Sequence, residues 1–329
     1  MFKYMKRSFL SILQITFLLA SAYLCNPTLA AEYPTKPIKL IVSFAPGGGT
    51  DVIARIIGKY LSEDLGQPVV VENKAGGGGN IGARFVAAAE PDGYTILVTS
   101  TAFAINPSLF KNAGYDPIKQ FTPIINAGYS PTIIFVHPDV KANNLKELLA
   151  LAKIKDLSYA TAGIGTVPFL TSENLNKTAS VNITHIPFAG AGPALNAVIG
   201  GQVPVGSAAF ATPGLIDWLN TGRIRPIAIS SAVRSRFVPN VPTIIESGYP
   251  GIVDDTWIAF FAPTKTPKDI VVKLNQAISK IIKQPIVLEQ ISKIGFDWNP
   301  NTSDEFSQYI QGEVIKWGKI VKETGITQE

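Results

Sequence analysis

Ile38-Lys39-Leu40-Ile41-Val42-Ser43-Phe44 runs into Ala45-Pro46-Gly47-Gly48-Gly49-Thr50-Asp51, and Val52-Ile53-Ala54-Arg55-Ile56-Ile57 follows. The first run is apolar enough for a strand buried on both faces, and the last has apolar residues at helical spacing. Thr50 or Asp51 is placed to cap the helix start. Three consecutive glycines between strand and helix let bare backbone approach a ligand closely. The first turn of a helix leaves N–H groups unpaired and carries partial positive charge. The unit is therefore suited to a carboxylate or a phosphate.

Upstream of this unit, Lys3, Lys6 and Arg7 precede an apolar stretch from Phe9 to about Leu24, and Thr28-Leu29-Ala30 offers small residues for cleavage. Residues 1–30 are expected to be a cleavable signal peptide, leaving Ala31 as the mature start. No later stretch approaches spanning length without Gly, Pro or charge, so the mature chain is expected to be soluble. The single cysteine, Cys25, falls inside the leader, and Ala22-Tyr23-Leu24 before it is a poor lipoprotein signal. An exported chain without a disulfide must be held by its core, and about 300 residues suffice for two lobes.

The formal charge of +5 is misleading. Without Lys3, Lys6 and Arg7, the 29 basic residues fall to 26 against 24 acidic ones, or +2. There is no dense Lys/Arg cluster with interleaved aromatics, so nucleic acid is not an expected partner.

Short apolar runs alternate with helical patterns along most of the chain, which argues a parallel α/β sheet. Strands are expected at 38–44, 69–72, 95–99, 133–136, 158–161, 183–188, 203–207, 225–229 and 258–262. Helices are expected at 51–65, 80–88, 145–152, 167–175, 193–199, 215–219, 267–282 and 303–322. Thr266 should cap the helix from Pro267, which buries Ile270, Leu274, Ala277, Ile278 and Ile281. Thr302-Ser303-Asp304-Glu305 reads as a capping box, with Phe306, Ile310, Val314, Trp317 and Val321 as the buried stripe. The strand–glycine–helix pattern echoes twice, at Ser158 to Pro168 through Gly163 and Gly165, and at His185 to Ala194 through Ala189 and Gly190. If lobes face each other, several helix N-termini can converge on one cleft.

Catalytic signatures are missing. The two histidines, His137 and His185, lie far apart and each sits beside a strand-like run, where a structural role is the default. No His-Glu-x-x-His, Cys/His cluster or Gly-x-Ser-x-Gly elbow occurs. Asp254-Asp255 alone supplies too few ligands for a metal site. Gly77-Gly78-Gly79-Asn80-Ile81-Gly82 formally matches Gly-x-Gly-x-x-Gly, but the next strand ends in Ser100-Thr101 rather than an acid. Pro46-Gly47-Gly48-Gly49-Thr50 lacks the Gly-Lys-Ser/Thr ending of a phosphate loop.

Several segments, taken in order, carry a resemblance. They are Tyr33-Pro34-Thr35-Lys36-Pro37-Ile38, Phe44 to Asp51, Gln67-Pro68-Val69-Val70-Val71-Glu72-Asn73-Lys74 and Gly78-Gly79-Asn80-Ile81-Gly82. Pro91-Asp92-Gly93-Tyr94-Thr95, Ile105-Asn106-Pro107-Ser108-Leu109 and Val241-Pro242-Thr243 complete the set. Jointly they resemble the substrate-binding proteins of tripartite tricarboxylate transporters, the Bug family of periplasmic solute receptors, over essentially the whole mature chain.

The resemblance implies a type II periplasmic-binding-protein fold: two α/β lobes, 31–130 plus 257–329 and 131–256, joined by a two-segment hinge. It implies a monomer in the periplasm of a Gram-negative bacterium, without cofactor, metal or catalysis. Its ligand would be a small organic acid anion and its partners the membrane permease subunits. The ligand class would be di- or tricarboxylates or aromatic carboxylates. Carried onto this chain, the first loop supplies Phe44, Pro46, Gly47, Gly48, Gly49, Thr50 and Asp51. Ser100, Thr101, Gly163, Gly165 and Thr166 should face it, with Ala189, Gly190 and Ala208 from the neighbouring loops. This chain departs from the family pattern at Val167-Pro168-Phe169-Leu170, where a histidine is frequent, and at Ala208-Ala209-Phe210, where an acid is frequent. Phe103 stands where a polar residue is common. Phe103, Phe169, Phe188, Phe210 and Trp257 are thus candidates for an aromatic cleft, although burial is the default for each. The missing acid disfavours an amino-acid ligand. A ligand-sensing receptor for a two-component system would need the same clamp, and an exported enzyme acting on a carboxylate is the remaining alternative.

Overall fold

The computed structural model describes residues 32–298 and 301–327. By contacts the chain divides into residues 1–35 and 36–329, and the architecture below is that of the second unit. The expected signal peptide and Cys25 lie outside the described residues.

The first strand, β1 (Ile38–Val42), runs up the middle of a parallel set, between β2 (Val69–Asn73) and β3 (Thr95–Ser100). Ile38, Leu40, Ile41 and Val42 are all at most 1% exposed, as a strand covered on both faces requires. Helix α1 (Gly49–Leu65) lays Ile53, Ala54, Ile57 and Leu61 on this sheet. A methyl at Gly58 would come within 3.3–3.4 Å of Leu40, Val69 and Val71, so glycine lets this helix sit close. A 3-10 turn at Gly77–Gly79 and helix α2 (Asn80–Ala87) lead to β3, and helix α3 (Ala102–Leu109) follows it.

Strand β4 (Phe121–Val136) is 16 residues long and ties the sheet together. Its first part, to Pro131, pairs antiparallel with β9 (Asp255–Pro263), which itself lies antiparallel to β3. Its last five residues pair antiparallel with β7 (Val205–Ala209), and part of that stretch also pairs with β8 (Arg225–Ile229). Beyond β7 lie β5 (Leu157–Thr161) and β6 (Ile183–Pro187), again parallel. The order is β2-β1-β3-β9-β4-β7-β5-β6, with β8 also on β4. Each end is a parallel α/β set, but the centre is antiparallel, which corrects the expectation of a parallel sheet throughout. Helices α4 (Leu145–Ala152), α5 (Val167–Thr178), α6 (Ala191–Ile199) and α7 (Leu215–Asn220) serve the β4–β8 end. Helices α8 (Lys268–Ile282), α9 (Pro285–Lys293) and α10 (Ser303–Thr324) follow β9.

Most expected elements lie within a few residues of their positions. The first part of β4 escaped because Pro123, Asn126, Gly128 and Pro131 punctuate it like a loop. The strand absorbs them through register shifts between Pro123 and Ile125 and between Asn126 and Gly128. The start of α1 needs correction as well: Gly48 is the N-cap and no side chain caps it. The helix after Thr266 begins at Lys268, with Pro267 as N-cap, and buries Val271 in place of Ile270. The capping box at Thr302 is present, and Phe306, Ile310, Trp317 and Val321 are buried on α10. Buried with them is Glu313, which accepts hydrogen bonds from the indoles of Trp257 (3.0 Å) and Trp317 (2.9 Å).

Helix α3 was not foreseen because it contains Pro107. Proline has no N–H for the carbonyl four residues earlier, that of Phe103. Tyr115 supplies the missing donor, its hydroxyl lying 3.0 Å from Phe103 O in a buried bond. Tyr115→Phe should therefore lower stability by about 1–3 kcal/mol, the cost of an orphaned buried carbonyl. Chemical denaturation measures this, and an unchanged midpoint would contradict the compensation.

Candidate functional site

The glycine loop is shaped from below by one carboxylate. Asp51, 3% exposed, accepts the Gly47 N–H (3.0 Å) on Oδ2 and the Asn73 amide (2.8 Å) on Oδ1. Arg55, one turn along α1, grips both oxygens at 2.9 Å. Burial pushes the Asp51 carboxyl up, but the Arg55, Gly47 and Asn73 hydrogen bonds outweigh it and hold the group below its ordinary value. Asn73 also donates to Phe44 O (3.0 Å), and Gly47 takes a φ of 84°. Held this way, the loop keeps Gly47 against Asp51 and places Gly48 and Gly49 along a cavity.

That cavity, of about 60 Å3, has Phe44, Ala45, Gly48, Gly49 and Thr50 on one wall. The opposite wall carries Ala162, Thr166, Val167 and Pro168 from the start of α5, and Gly190 and Ala191 from the start of α6. Ser100, Thr256 and Ile258 form the sheet floor, while Ala208, Ala209, Ala211, Thr212 and Phe296 close the remainder. Three helices, α1, α5 and α6, thus begin at one cavity. Their N-caps, Gly48, Thr166 and Gly190, make no side-chain capping bond. Within α1 the first bond is Val52 N–H to Gly48 O, so the N–H groups of Gly49 and Thr50 have no partner in the helix. Pro168 and Pro193 set the opening turns of α5 and α6 without adding donors. Among the described residues, no charged side chain lines the cavity. At roughly 10–15 Å3 per water, the space holds about four to six waters.

Of the residues expected at a ligand site, Phe44, Gly48, Gly49, Thr50, Ser100, Thr166, Gly190 and Ala208 line this cavity. Pro46, Gly47, Asp51, Thr101, Gly163, Gly165 and Ala189 do not. Several of these hold the walls instead. Thr101 Oγ1 accepts from Trp257 N (2.9 Å) and so fixes the start of β9. Gly163 N–H bonds Thr161 Oγ1 (3.2 Å), and Gly163 O accepts from Thr166 Oγ1 (2.8 Å). Gly165 packs on Asn106 of α3 so closely that a Cβ there would overlap the amide oxygen.

The expected aromatic lining is not the one observed. Phe103, Phe169, Phe210 and Trp257 are at most 4% exposed in the core, Phe188 packs against it, and none of the five lines the cavity. Phe44 and Phe296 do. Phe296 follows α9, a helix the sequence pattern did not reveal, so nothing in the sequence flagged it. Thr256 and Ile258 could have been found from the two-residue alternation of β9, which puts them on one face.

His185 sits outside the cavity between the rings of Tyr159 and Phe169, at 4.9 and 4.6 Å. Its Nε2 lies 2.7 Å from Thr161 Oγ1, under the loop that leads to α5. His137 is on another face, 3.5 Å from Asp139. Asp254, buried just before β9, accepts from Thr171 (3.1 Å). Burial pushes the Asp254 and Asp255 carboxyls up, the nearby Lys316 opposing this in both. Asp255 borders a separate groove with Tyr129, Asn301 and Tyr309. Among the described residues no cluster of three or more His, Cys, Asp or Glu can hold a metal ion.

Comparison with known proteins places the chain. Residues 53–326 match the model of the tripartite tricarboxylate transporter family receptors. The structure of the periplasmic binding protein BugD superposes with a TM-score of 0.86 at 35% identity, covering 90% of this chain and all of that one. A Rhodopseudomonas palustris protein solved with adipate gives 0.85 at 30% identity, over 90% of this chain and 99% of that one. MatC of the same organism, with bound malate, gives 0.83 at 32% identity, over 88% and 100%. The fold is therefore that of the periplasmic binding proteins, and the chain belongs to the tripartite tricarboxylate transporter receptor family, with the Bug proteins. Among the described residues no helix is long and apolar enough to cross a membrane.

Burial lowers the His185 pKa from 6.5 to about 4. The unfolded chain takes up that proton first, so the stability contributed by the neutral ring is full above about pH 6.5 and is lost as pH falls toward 4. The denaturation midpoint should fall across this window, and His185→Phe should flatten part of the slope. An identical pH profile in the variant would contradict this role.

Proposed function

We propose that this chain is a periplasmic receptor that captures a small carboxylate anion and delivers it to the permease of a tripartite tricarboxylate transporter. The observation that carries this reading is the convergence of three uncapped helix starts on one cavity without a charged side chain. Each start offers N–H donors and partial positive charge, and no fixed cation competes for the anion. The malate and adipate held by the two relatives above support a dicarboxylate or a similar acid. A cavity without an acidic side chain gives an amino acid's ammonium group no partner. No bond is made or broken: the anion exchanges water for preorganised amides. Hydrogen bonds to a charged acceptor contribute roughly 1.5–3 kcal/mol each, so three or four suit ~micromolar affinity after the cost of immobilisation.

Capture follows from closure of the two lobes, 31–130 plus 257–329 and 131–256, over the anion. Strands β4 and β9 cross between the lobes as the hinge segments. The exported, processed chain then docks as a closed monomer on the permease.

Closure depends on the absence of a side chain at Gly49. A Cβ there would lie 2.6 Å from Ala211 O on the far wall, although the backbone of Gly49 suits any residue. Gly49→Ala should leave the unliganded protein folded with a nearly unchanged melting temperature. Its affinity for whichever of malate, succinate or adipate the parent binds should fall at least ~10-fold, because a wall contact under 3 Å must open. Isothermal titration and small-angle scattering measure both effects. Parental affinity in the variant would remove closure at Gly49 from the account. If the parent bound none of these acids at millimolar concentration, carboxylate capture itself would be refuted.

A further inference from the structure

Among the described residues, Thr256 is the cavity residue whose hydroxyl oxygen is both fully buried and without a hydrogen-bond partner. Among the described residues, three buried side-chain polar atoms make no hydrogen bond: Asn106 Oδ1, Thr132 Oγ1 and Thr256 Oγ1. Of these residues only Thr256 lines the cavity, and it is 9% exposed. Its place in the sheet fixes its direction. Residues two apart on a strand share a face, and Ile258 of the same strand also lines the cavity. Ser100, opposite Ile258 in the β3–β9 pairing, lines it too. Ser100, Ile258 and Thr256 thus form one patch of sheet floor facing the ligand space.

Two other hydroxyls at the cavity are satisfied within the protein. Thr166 Oγ1 donates to Gly163 O and Thr212 Oγ1 to Ala209 O, both at 2.8 Å. A buried hydroxyl without a partner costs free energy that a valine of the same shape would not. Neighbouring backbone does not explain the threonine, since Thr101 already holds the main chain on both sides, at Asp255 O (3.4 Å) and Trp257 N (2.9 Å). Unlike Asn106 and Thr132, Thr256 borders a cavity, and a molecule held there is the available partner for its Oγ1.

We propose that Thr256 is a specificity-determining residue whose hydroxyl bonds a second oxygen of the cargo, apart from the carboxylate held at the helix starts. The cargo is therefore a hydroxy acid or a short dicarboxylic acid, and not a monocarboxylate with a hydrocarbon or aromatic end. This rests on the carboxylate capture proposed above and narrows it. The helix starts hold one acid group and accept many acids; Thr256, on the sheet floor, selects among them.

The test compares the parent protein with Thr256→Val and Thr256→Ser, titrated with malate, succinate and butyrate. The parent should bind malate or succinate more tightly than butyrate. Thr256→Val should lose about 10- to 100-fold in affinity for the preferred diacid, the range expected for a buried hydrogen bond to a charged acceptor. Butyrate binding should be unaffected, and Thr256→Ser should stay near the parent. The melting temperature of unliganded Thr256→Val should equal or exceed that of the parent, which a structural role would not allow. Equal diacid affinity in Thr256→Val, a lowered unliganded melting temperature, or a parent that prefers butyrate would each overturn the assignment while leaving carboxylate capture standing. A parent that binds none of the three acids would instead refute capture, and this assignment with it.

Discussion

Everything at the cavity depends on a carboxylate that never enters it. Asp51 sits in the first turn of α1, where a negative charge is favoured, and is almost wholly buried there. Left alone, it would quench the positive field of the helix start and repel an incoming anion. Arg55 cancels that charge with two hydrogen bonds, and Asn73 and Gly47 take up the remaining acceptor capacity. The loop is thereby pinned from behind, while Gly49 and Thr50, without partners in the helix for their N–H groups, line the cavity. An acidic residue next to a triple glycine invites reading as a ligand-binding group, but here it is the brace behind one.

The sheet gives this brace its counterpart. β4 and β9 pair along nearly the whole of β9, and their far ends lead to different sets of strands. Their crossing is fixed to the C-terminal helix by Glu313, which joins the indoles of Trp257 and Trp317 in an otherwise apolar core. Phe103, Phe261 and Phe306 pack around the same point, with ring centres 4.5 to 6.2 Å apart between Phe103 and Phe261, Trp257 and Phe306, and Phe261 and Phe306. Thr256 lies one residue from Trp257, so the cavity floor continues this packed crossing. The walls are different: they are helix starts and short loops, which meet through glycines. Gly78 approaches Ile164 O, Gly165 approaches Asn106, and Gly49 approaches Ala211 O.

Much of this was legible in the sequence because it is local. Strand 38–42 with its helix, the later glycine loops and the capping box at Thr302 each carry their signal within a dozen residues. The family resemblance, which joined these pieces, was legible on the same segments. What could not be read arises from distant partners. Pro107 sits in a helix only because Tyr115 replaces the lost donor, and the punctuated half of β4 is a strand only because β9 lies beside it. The division of the glycine loop was hidden for the same reason, since Asn73 and Arg55 decide which side of Asp51 faces inward. The aromatic residues singled out beside the loops are core because the sheet covers them. Phe296, which reaches the cavity, belongs to a turn whose position depends on Gly49 and Gly128 against its ring.

The central claim is that main-chain amides at the helix starts hold the anion. Amide nitrogen and proton shifts of the labelled protein, followed during titration with malate, address it directly. The account requires the largest changes at Gly49, Thr50, Val167 and Ala191, saturating together with one dissociation constant. Saturable binding that left those four amides unmoved, with shifts gathered instead at the groove of Tyr129 and Asn301, would contradict it.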